Sequence, residues 1–257
     1  NKEFNFSYSH KLDFKFSATN LSLYESCPLA FKYDKVDRIR LREKSSLASL
    51  GMFVHKVLEI IYETHSMGLD DIREILGDVW NDNEFDNIYQ SQEYLKEAES
   101  IIFEYISNNP INEDVDYLLE KDLLVNEDSN TFIGKIDRID LLPNGDIAIV
   151  DYKTSKNKKT SNLIKKDIQL GYYSYLLSIY NDKNFDSKIP VLSSLEFIRD
   201  SESPSVEVSF TKEDIDKIKD RVNGIAASVR SNKFSPNKKG GHCFFCKYKR
   251  LLCPLYK

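Results

Sequence analysis

The chain is poor in cysteine, with four in 257 residues, and it has no apolar run approaching the length that spans a bilayer. The second absence sets aside a helical membrane protein. The first sixteen residues, "NKEFNFSYSHKLDFKF", lack the apolar h-region of a secretory signal. The first residue is Asn and not Met, as in a trimmed chain or a piece of a longer one. A cytoplasmic setting is therefore the expectation, and it disfavours disulfides among so few thiols. An excess of positive charge is also missing. Lys and Arg total 36 against 41 Asp and Glu, a net charge of −5, which argues against a nonspecific nucleic-acid coat protein. No internal repeat is visible.

What is present suits a sizeable core: 41% of residues are hydrophobic and 30% charged, enough for one large domain or two small ones. The charge is segregated. Acidic residues crowd 69–99 and 113–128. Basic residues crowd 38–44 ("RIRLREK"), 153–166 ("KTSKNKKTSNLIKK") and 238–250 ("KKGGHCFFCKYKR"). Such segregation can leave local positive patches on an acidic protein; the alternative is lysine-rich solvated loops.

Periodicity predicts helices over about 19–35, interrupted near Pro28, and over 46–64, 70–81 and 91–108. Strands are expected at about 117–125, 131–142 and 146–153, then a helix at 165–181 and strands at 190–199 and 205–210. A last helix covers about 211–232, opened by Thr211 with Asp214 three residues on. The tail, 233–257, is irregular and holds most of the cysteines. This order suggests one α/β or α+β domain with a helical N-terminal part.

The stretch "DIAIVDYKT" is an apolar strand that ends in Asp151 and Lys153, two residues apart and on one face. Its hairpin partner is reached through "LPNGD". A two-residue Asn-Gly turn would put Asp137 and Asp151 on opposite faces. A three-residue loop, Pro143-Asn144-Gly145, pairs Leu141 with Ile147, Ile139 with Ile149, Asp137 with Asp151 and Lys135 with Lys153. The second register is preferred, because it gathers the apolar residues on one face. Two facing carboxylates repel unless a cation lies between them, and oxygen ligands suit Mg²⁺ or Mn²⁺. Lys153 could then orient a water beside the ion. The bland alternative is a surface ion-pair ladder at a strand end.

Together, Asp137, Asp151 and Lys153 reproduce the pattern of the PD-(D/E)XK nuclease superfamily. "GKIDRIDLLPNGDIAIVDYKTSK" resembles its RecB-type branch, with G-x-I-D, a hairpin and D-Y-K-[ST]. "QLGYY" is similar to that branch's Q-x-x-x-Y, giving Gln169 and Tyr173 on one helix face, and "GMFVHKVLE" to its G-x-x-x-H, giving His55. The resemblance runs from about Ser17 to Tyr256; segments 65–115 and 180–235 share only general character. It implies an α/β restriction-endonuclease-like core, a central mixed sheet flanked by helices. It implies metal ligation by His55, Asp137, Asp151 and the Tyr152 backbone carbonyl, with Lys153 activating water and Gln169 and Tyr173 ordering the site or holding DNA. Taken alone, His55 reads as a half-buried helix histidine. Glu59, one turn on, could support the site; Glu120 and Asp140 read as structural or peripheral.

The cysteines are Cys27, Cys243, Cys246 and Cys253, the last three spaced C-x₂-C-x₆-C. Spacing fits zinc or an iron–sulfur cluster and by itself favours zinc. "ESCPLAFKY" with the C-terminal triplet resembles AddB-type and CRISPR-associated RecB-like nucleases, which implies a 4Fe-4S cluster on these four thiols and a clip from the first helix to the tail. His242 is then not a ligand. The organisation implied is a single domain over 1–257: a helical part at about 17–110, a nuclease core at about 115–232, and a Cys-rich clip at 233–257 joined to Cys27.

The function implied by resemblance is a metal-dependent DNA nuclease, an exonuclease on single-stranded DNA or DNA ends leaving 5′-phosphates, in DNA repair or CRISPR-type processing. Lys156, Lys158, Lys159, Lys165 and Lys166 are the candidate phosphate contacts. A helicase or CRISPR adaptation partner is compatible, and no membrane is involved. No Walker-type G-x-x-x-x-G-K-[ST] occurs, so the chain carries no helicase motor of its own. The competing classes are a non-catalytic DNA-binding module and a zinc-clipped nucleic-acid adaptor.

Overall fold

A computed structural model describes residues 14–41 and 45–256. Arg42, Glu43 and Lys44 of the first basic run, and the N-terminal stretch tested for a signal, therefore lie outside the described residues apart from its last three positions.

The elements follow in the order β1 (Lys15–Phe16), α1 (Ala18–Ser26), α2 (Pro28–Phe31), α3 (Ser46–Thr64), α4 (Leu69–Val79), α5 (Ile88–Asn108), β2 (Asp116–Glu127), β3 (Asn130–Leu141) and β4 (Ile147–Lys153). Then come α6 (Ser161–Lys166), α7 (Ile168–Ile179), a small hairpin of β5 (Asn181–Asp182) and β6 (Phe185–Asp186), β7 (Leu192–Phe197), β8 (Ser205–Val208) and α8 (Lys212–Arg230). Local chemistry sets the boundaries. Ser17 and Ser45 cap α1 and α3 by accepting from backbone N–H groups three residues on. Cys27 is extended, which ends α1, and Pro28 opens α2 at its first position, where no N–H is needed. Thr211 and Asp214 form the expected reciprocal cap of α8.

Two expectations change. The helix anticipated at 165–181 is two helices, because Asp167 takes an extended backbone and its carboxylate caps α7 by accepting the Gln169 N–H. Strands β1, β5 and β6 have two residues each, too short to show a period.

The main sheet has six strands and mixed direction. β2 and β3 pair antiparallel except at Glu120–Asp137, β3 and β4 antiparallel, β4 and β7 parallel, and β7 and β8 antiparallel. The hairpin has the three-residue loop: the Leu142 N–H donates to the Asp146 carbonyl at 2.9 Å, and Gly145 takes φ +82°. Leu141 pairs with Ile147 and Ile139 with Ile149. The pairing stops at Arg138–Val150, so the expected rungs Asp137–Asp151 and Lys135–Lys153 do not form. From there β3 and β4 part, and β1 comes in beside β3 at Thr131 and Phe132. The Tyr172 hydroxyl lies in this gap, 2.8 Å from the Phe16 carbonyl and 3.0 Å from that of Ile133.

Helices cover both faces. Ile139 and Ile149 pack with α1, α7 and α8 through residues such as Leu21, Leu176 and Val222. Val150 and Tyr152 pack with α3, α4 and α5 through Val54, Leu76 and Ile102. β4 is thus buried on both sides, which is why it reads as an unbroken apolar run. Among the described residues, no helix is long and apolar enough to cross a membrane.

Candidate active site

The site forms where β3 and β4 separate. Asp137 is the first residue of β3 past the last paired rung, and its Oδ2 accepts the backbone N–H of Tyr152 at 2.8 Å. A side chain here takes the place of a strand partner. In a strand, one residue's N–H and C=O point to the same edge, so the Tyr152 carbonyl also faces the fork. The Lys153 carbonyl faces the other edge and accepts from the Ile198 N–H at 3.2 Å.

His55 reaches the fork from α3, with Nδ1 3.3 Å from Asp137 Oδ2. Burial pulls the His55 pKa down, but the Asp137 carboxylate outweighs it and the net shift is upward. Asp151 lies behind Asp137 on the same face and is only 3% exposed. Burial pushes its carboxyl up to about 6; the charge of Asp137 adds to this and Lys153 opposes it. Asp151 Oδ1 accepts from Gln169 Nε2 at 2.6 Å. Its Oδ2 is ion-paired with Lys153 but accepts no hydrogen bond of proper geometry, which among the described residues singles it out from the other buried side-chain oxygens and nitrogens. The Gln169 side-chain oxygen accepts from Lys153 Nζ at 3.1 Å, and Tyr173 lies one turn along α7. Gln169 thus contacts both Asp151 and Lys153. Gly134 permits this closeness: a Cβ there would lie 3.0 Å from Leu176 Cδ1 of α7.

Glu120, read from the sequence as structural or peripheral, instead lies with the candidate ligands His55 and Asp137. It falls opposite Asp137 in the β2–β3 register, between the pairs Leu119–Arg138 and Lys121–Ile136. Its φ is +46°, which interrupts the ladder at that rung. One ligand atom each from His55, Glu120 and Asp137 all lie within 4.8 Å of one another. The register could have been extrapolated from a tight turn at 128–129, but the left-handed backbone has no signal in a glutamate. Glu120 also pairs with Lys135 at 2.6 Å. Glu59 lines the same cleft and is held by Lys56 at 2.7 Å. Asp140 points to the opposite face and grips Arg138. The cleft has a volume of about 590 Å³ and is lined by His55, Glu120 and Asp137, with Leu47 and Met52 among its apolar walls.

His55, Glu120 and Asp137 fit a divalent cation, since two carboxylates and an imidazole converge and a backbone carbonyl faces the same fork; the expected ligand Asp151 is not part of this group, its Oδ2 lying against Lys153.

The basic run after β4 is exposed but largely neutralised. Lys158 pairs with Asp200 at 2.6 Å, Lys159 with Asp167 at 2.5 Å and Lys165 with Asp214 at 3.0 Å. Lys156 and Lys166 form no ion pair among the described residues.

Cys27 and Cys246 line one cavity between the α1–α2 junction and the tail. Burial pushes the Cys246 thiol up, and the charges of Cys27, Cys253 and Cys243 add to the shift. The four thiols do not form a three-ligand group as tight as His55–Glu120–Asp137. Hydrogen bonds hold the tail in place. Asp34 accepts from Lys247 at 2.6 Å and from the Tyr248 hydroxyl at 2.9 Å, and Tyr33 donates to the Leu252 carbonyl at 3.2 Å.

Comparison with known proteins agrees with this geometry. Two Streptococcus agalactiae proteins, each named as a subunit of an ATP-dependent helicase/deoxyribonuclease, are similar to it. One is 25% identical over 180 residues, covering 66% of this chain and 16% of the relative. The other is 26% identical over 156 residues, covering 56% and 14%. The chain thus spans about one-sixth of the length of these relatives. The crystal structure of a candidate exonuclease from Eubacterium rectale has the same fold, with a TM-score of 0.57 at 14% identity, covering 100% of this chain and 95% of that one. The family described as the PD-(D/E)XK nuclease superfamily matches residues 15–254, so the chain belongs to the PD-(D/E)XK nuclease superfamily.

Proposed function

We propose that the chain is a metal-dependent deoxyribonuclease acting on single-stranded DNA or DNA ends as an exonuclease. The observation that carries this is the fork itself: Asp137 and Asp151 on one face, an Asp151 oxygen without a hydrogen bond, and Lys153 against it. His55, Asp137, Asp151 and the Tyr152 carbonyl would hold Mg²⁺ or Mn²⁺, with Glu120 a further ligand. Such an ion supplies Lewis acidity toward a phosphodiester and lowers the pKa of water. Lys153 is fixed by Asp151 and Gln169, so its ammonium can orient the attacking water and stabilise developing negative charge. Gln169 and Tyr173 keep Asp151 and Lys153 in register. Lys156 and Lys166, exposed and unpaired among the described residues, are the best phosphate contacts; Lys158, Lys159 and Lys165 would first have to leave their carboxylates.

Three parts of this reading rest on similarity. DNA as substrate and a helicase as partner follow the names of the Streptococcus agalactiae relatives. A 4Fe-4S cluster on Cys27, Cys243, Cys246 and Cys253 follows only the resemblance of their spacing to that of RecB-like nucleases. The single-domain organisation and a cytoplasmic, DNA-repair setting complete it. The test is digestion of end-labelled single- and double-stranded DNA with Mg²⁺, Mn²⁺ or chelator. Cleavage that needs the metal and proceeds from ends supports the reading; no cleavage under any of these conditions rejects it.

A further inference from the structure

On the face of the sheet opposite the fork, one buried guanidinium touches all the elements that carry the candidate ligands. Arg138 follows Asp137 on β3, so its side chain leaves by the other face. It is 9% exposed. Its Nη1 donates to the Tyr62 hydroxyl at 2.5 Å and to the Tyr152 hydroxyl at 2.8 Å. Its Nε and Nη2 donate to the two Asp140 oxygens at 2.7 and 3.1 Å. Tyr117 of β2 packs on the same group, with its ring centroid 5.5 Å from Cζ.

Each contact sits next to a site residue along its own element. Tyr152 lies between Asp151 and Lys153. Tyr62 lies seven residues after His55, two turns along the same face of α3. Tyr117 lies three residues before Glu120 on β2. Tyr152 is the direct relay: its hydroxyl is held by Arg138 while its backbone N–H holds Asp137 Oδ2. The strands are unpaired at this point, so backbone hydrogen bonds do not set their separation.

We infer that Arg138 is a positioning residue for the cation site, clamping α3, β3 and β4 through Tyr62, Asp140 and Tyr152 so that His55, Asp137 and Asp151 keep their spacing. This rests on the fork being the divalent-cation site. It also gives "IDRID" a division of labour: Asp137 and Ile139 serve the site and one core, while Arg138 and Asp140 form the clamp behind it. Lysine cannot replace arginine here, because one ammonium cannot span the Asp140 fork and two hydroxyls together.

The test compares wild type, Arg138→Lys and Tyr152→Phe. Three properties are measured: Mn²⁺ affinity by calorimetry, hydrogen exchange of the Tyr152 amide in metal-free protein, and the split between kcat and KM for DNA. Both variants should bind Mn²⁺ more weakly, by about tenfold or more for Arg138→Lys, as for lost outer partners of metal ligands. The Tyr152 amide should exchange faster in both, and kcat should fall with KM little changed. Should Arg138→Lys fail to fold, Tyr152→Phe decides, since it removes one hydroxyl only. Folded variants with wild-type Mn²⁺ affinity and wild-type Tyr152 exchange would overturn the inference. Wild type that binds no Mn²⁺ would instead remove the cation reading, and metal-free Tyr152 exchange would still report on the clamp.

Discussion

The backbone N–H of Tyr152 is held by the carboxylate of Asp137 at 2.8 Å, across a gap where the two strands no longer pair. The residue between the two strand-end charges of β4 is thus fastened to the facing carboxylate of β3. Ligand geometry and strand geometry are one feature at this point, and the consequences can be measured.

Asp151→Ala should abolish metal-dependent cleavage and weaken Mn²⁺ binding. Lys153→Ala should keep most of the binding and lower kcat by about 10²–10³-fold, the usual cost of losing one charge-stabilising donor. End-labelled DNA digestion beside Mn²⁺ calorimetry separates the two. If both purified variants cleave like wild type, the fork is not the catalytic site.

Asp151 should make the metal-free fold pH-dependent. Its carboxyl rises from 3.8 to about 6 because burial disfavours the anion. Below pH 4 the group is protonated in both folded and unfolded states and costs nothing. As the pH rises through 6 the fold carries a buried anion, and stability falls by up to about 3 kcal/mol, two units at 1.36 kcal/mol each. Asp151→Asn lacks this titration. Its stability relative to wild type should improve by that order between pH 4 and pH 8, measured by urea denaturation in chelator. An equal difference at both pH values would show that Asp151 titrates as an ordinary surface carboxylate.

DNA binding should depend unequally on the five lysines. Replacing Lys156 and Lys166 with Ala should flatten the dependence of log affinity on log salt by about 0.7 per contact for single-stranded DNA. Replacing Lys158, Lys159 and Lys165 should change it less, since each is paired with an aspartate. A larger loss from the paired set would mean that they exchange their carboxylates for phosphates on binding.

Anaerobically purified protein should contain iron and show broad visible absorbance, both lost in Cys27→Ala. The hydrogen bonds of Asp34 and Tyr33 to the tail remain, so the variant should stay folded but melt at a lower temperature. Zinc in place of iron would assign the thiols to a single-ion site. Neither metal would leave four ordinary cysteines.

Much of the site was legible because its residues are close in sequence or repeat with a local period. Asp137 and Asp151 share one face of a single hairpin, and the three-residue loop follows from Pro143, Gly145 and the shared apolar face. Gln169 and Tyr173 fall one turn apart on a helix. The break of the first helix at Cys27–Pro28 and the cap of α8 are likewise local chemistry.

Only tertiary structure decided the rest. Nothing near Glu120 in the sequence announces a left-handed glutamate opposite Asp137. The fork depends on β4 leaving β3 and on a two-residue β1 taking its place. Pairing of Lys158, Lys159 and Lys165 with aspartates up to dozens of residues away cannot be read from a basic run. Arg138 reads as one more charge in "IDRID" until α3 and β4 bring Tyr62 and Tyr152 to it. Periodicity and turn chemistry act over a few residues, and so the sequence by itself determined most of the elements, the hairpin loop and the shared face of the two carboxylates. Desolvation and charge pairing act between whichever groups the packed chain brings together, and they decided which of those residues are buried, paired or held from behind.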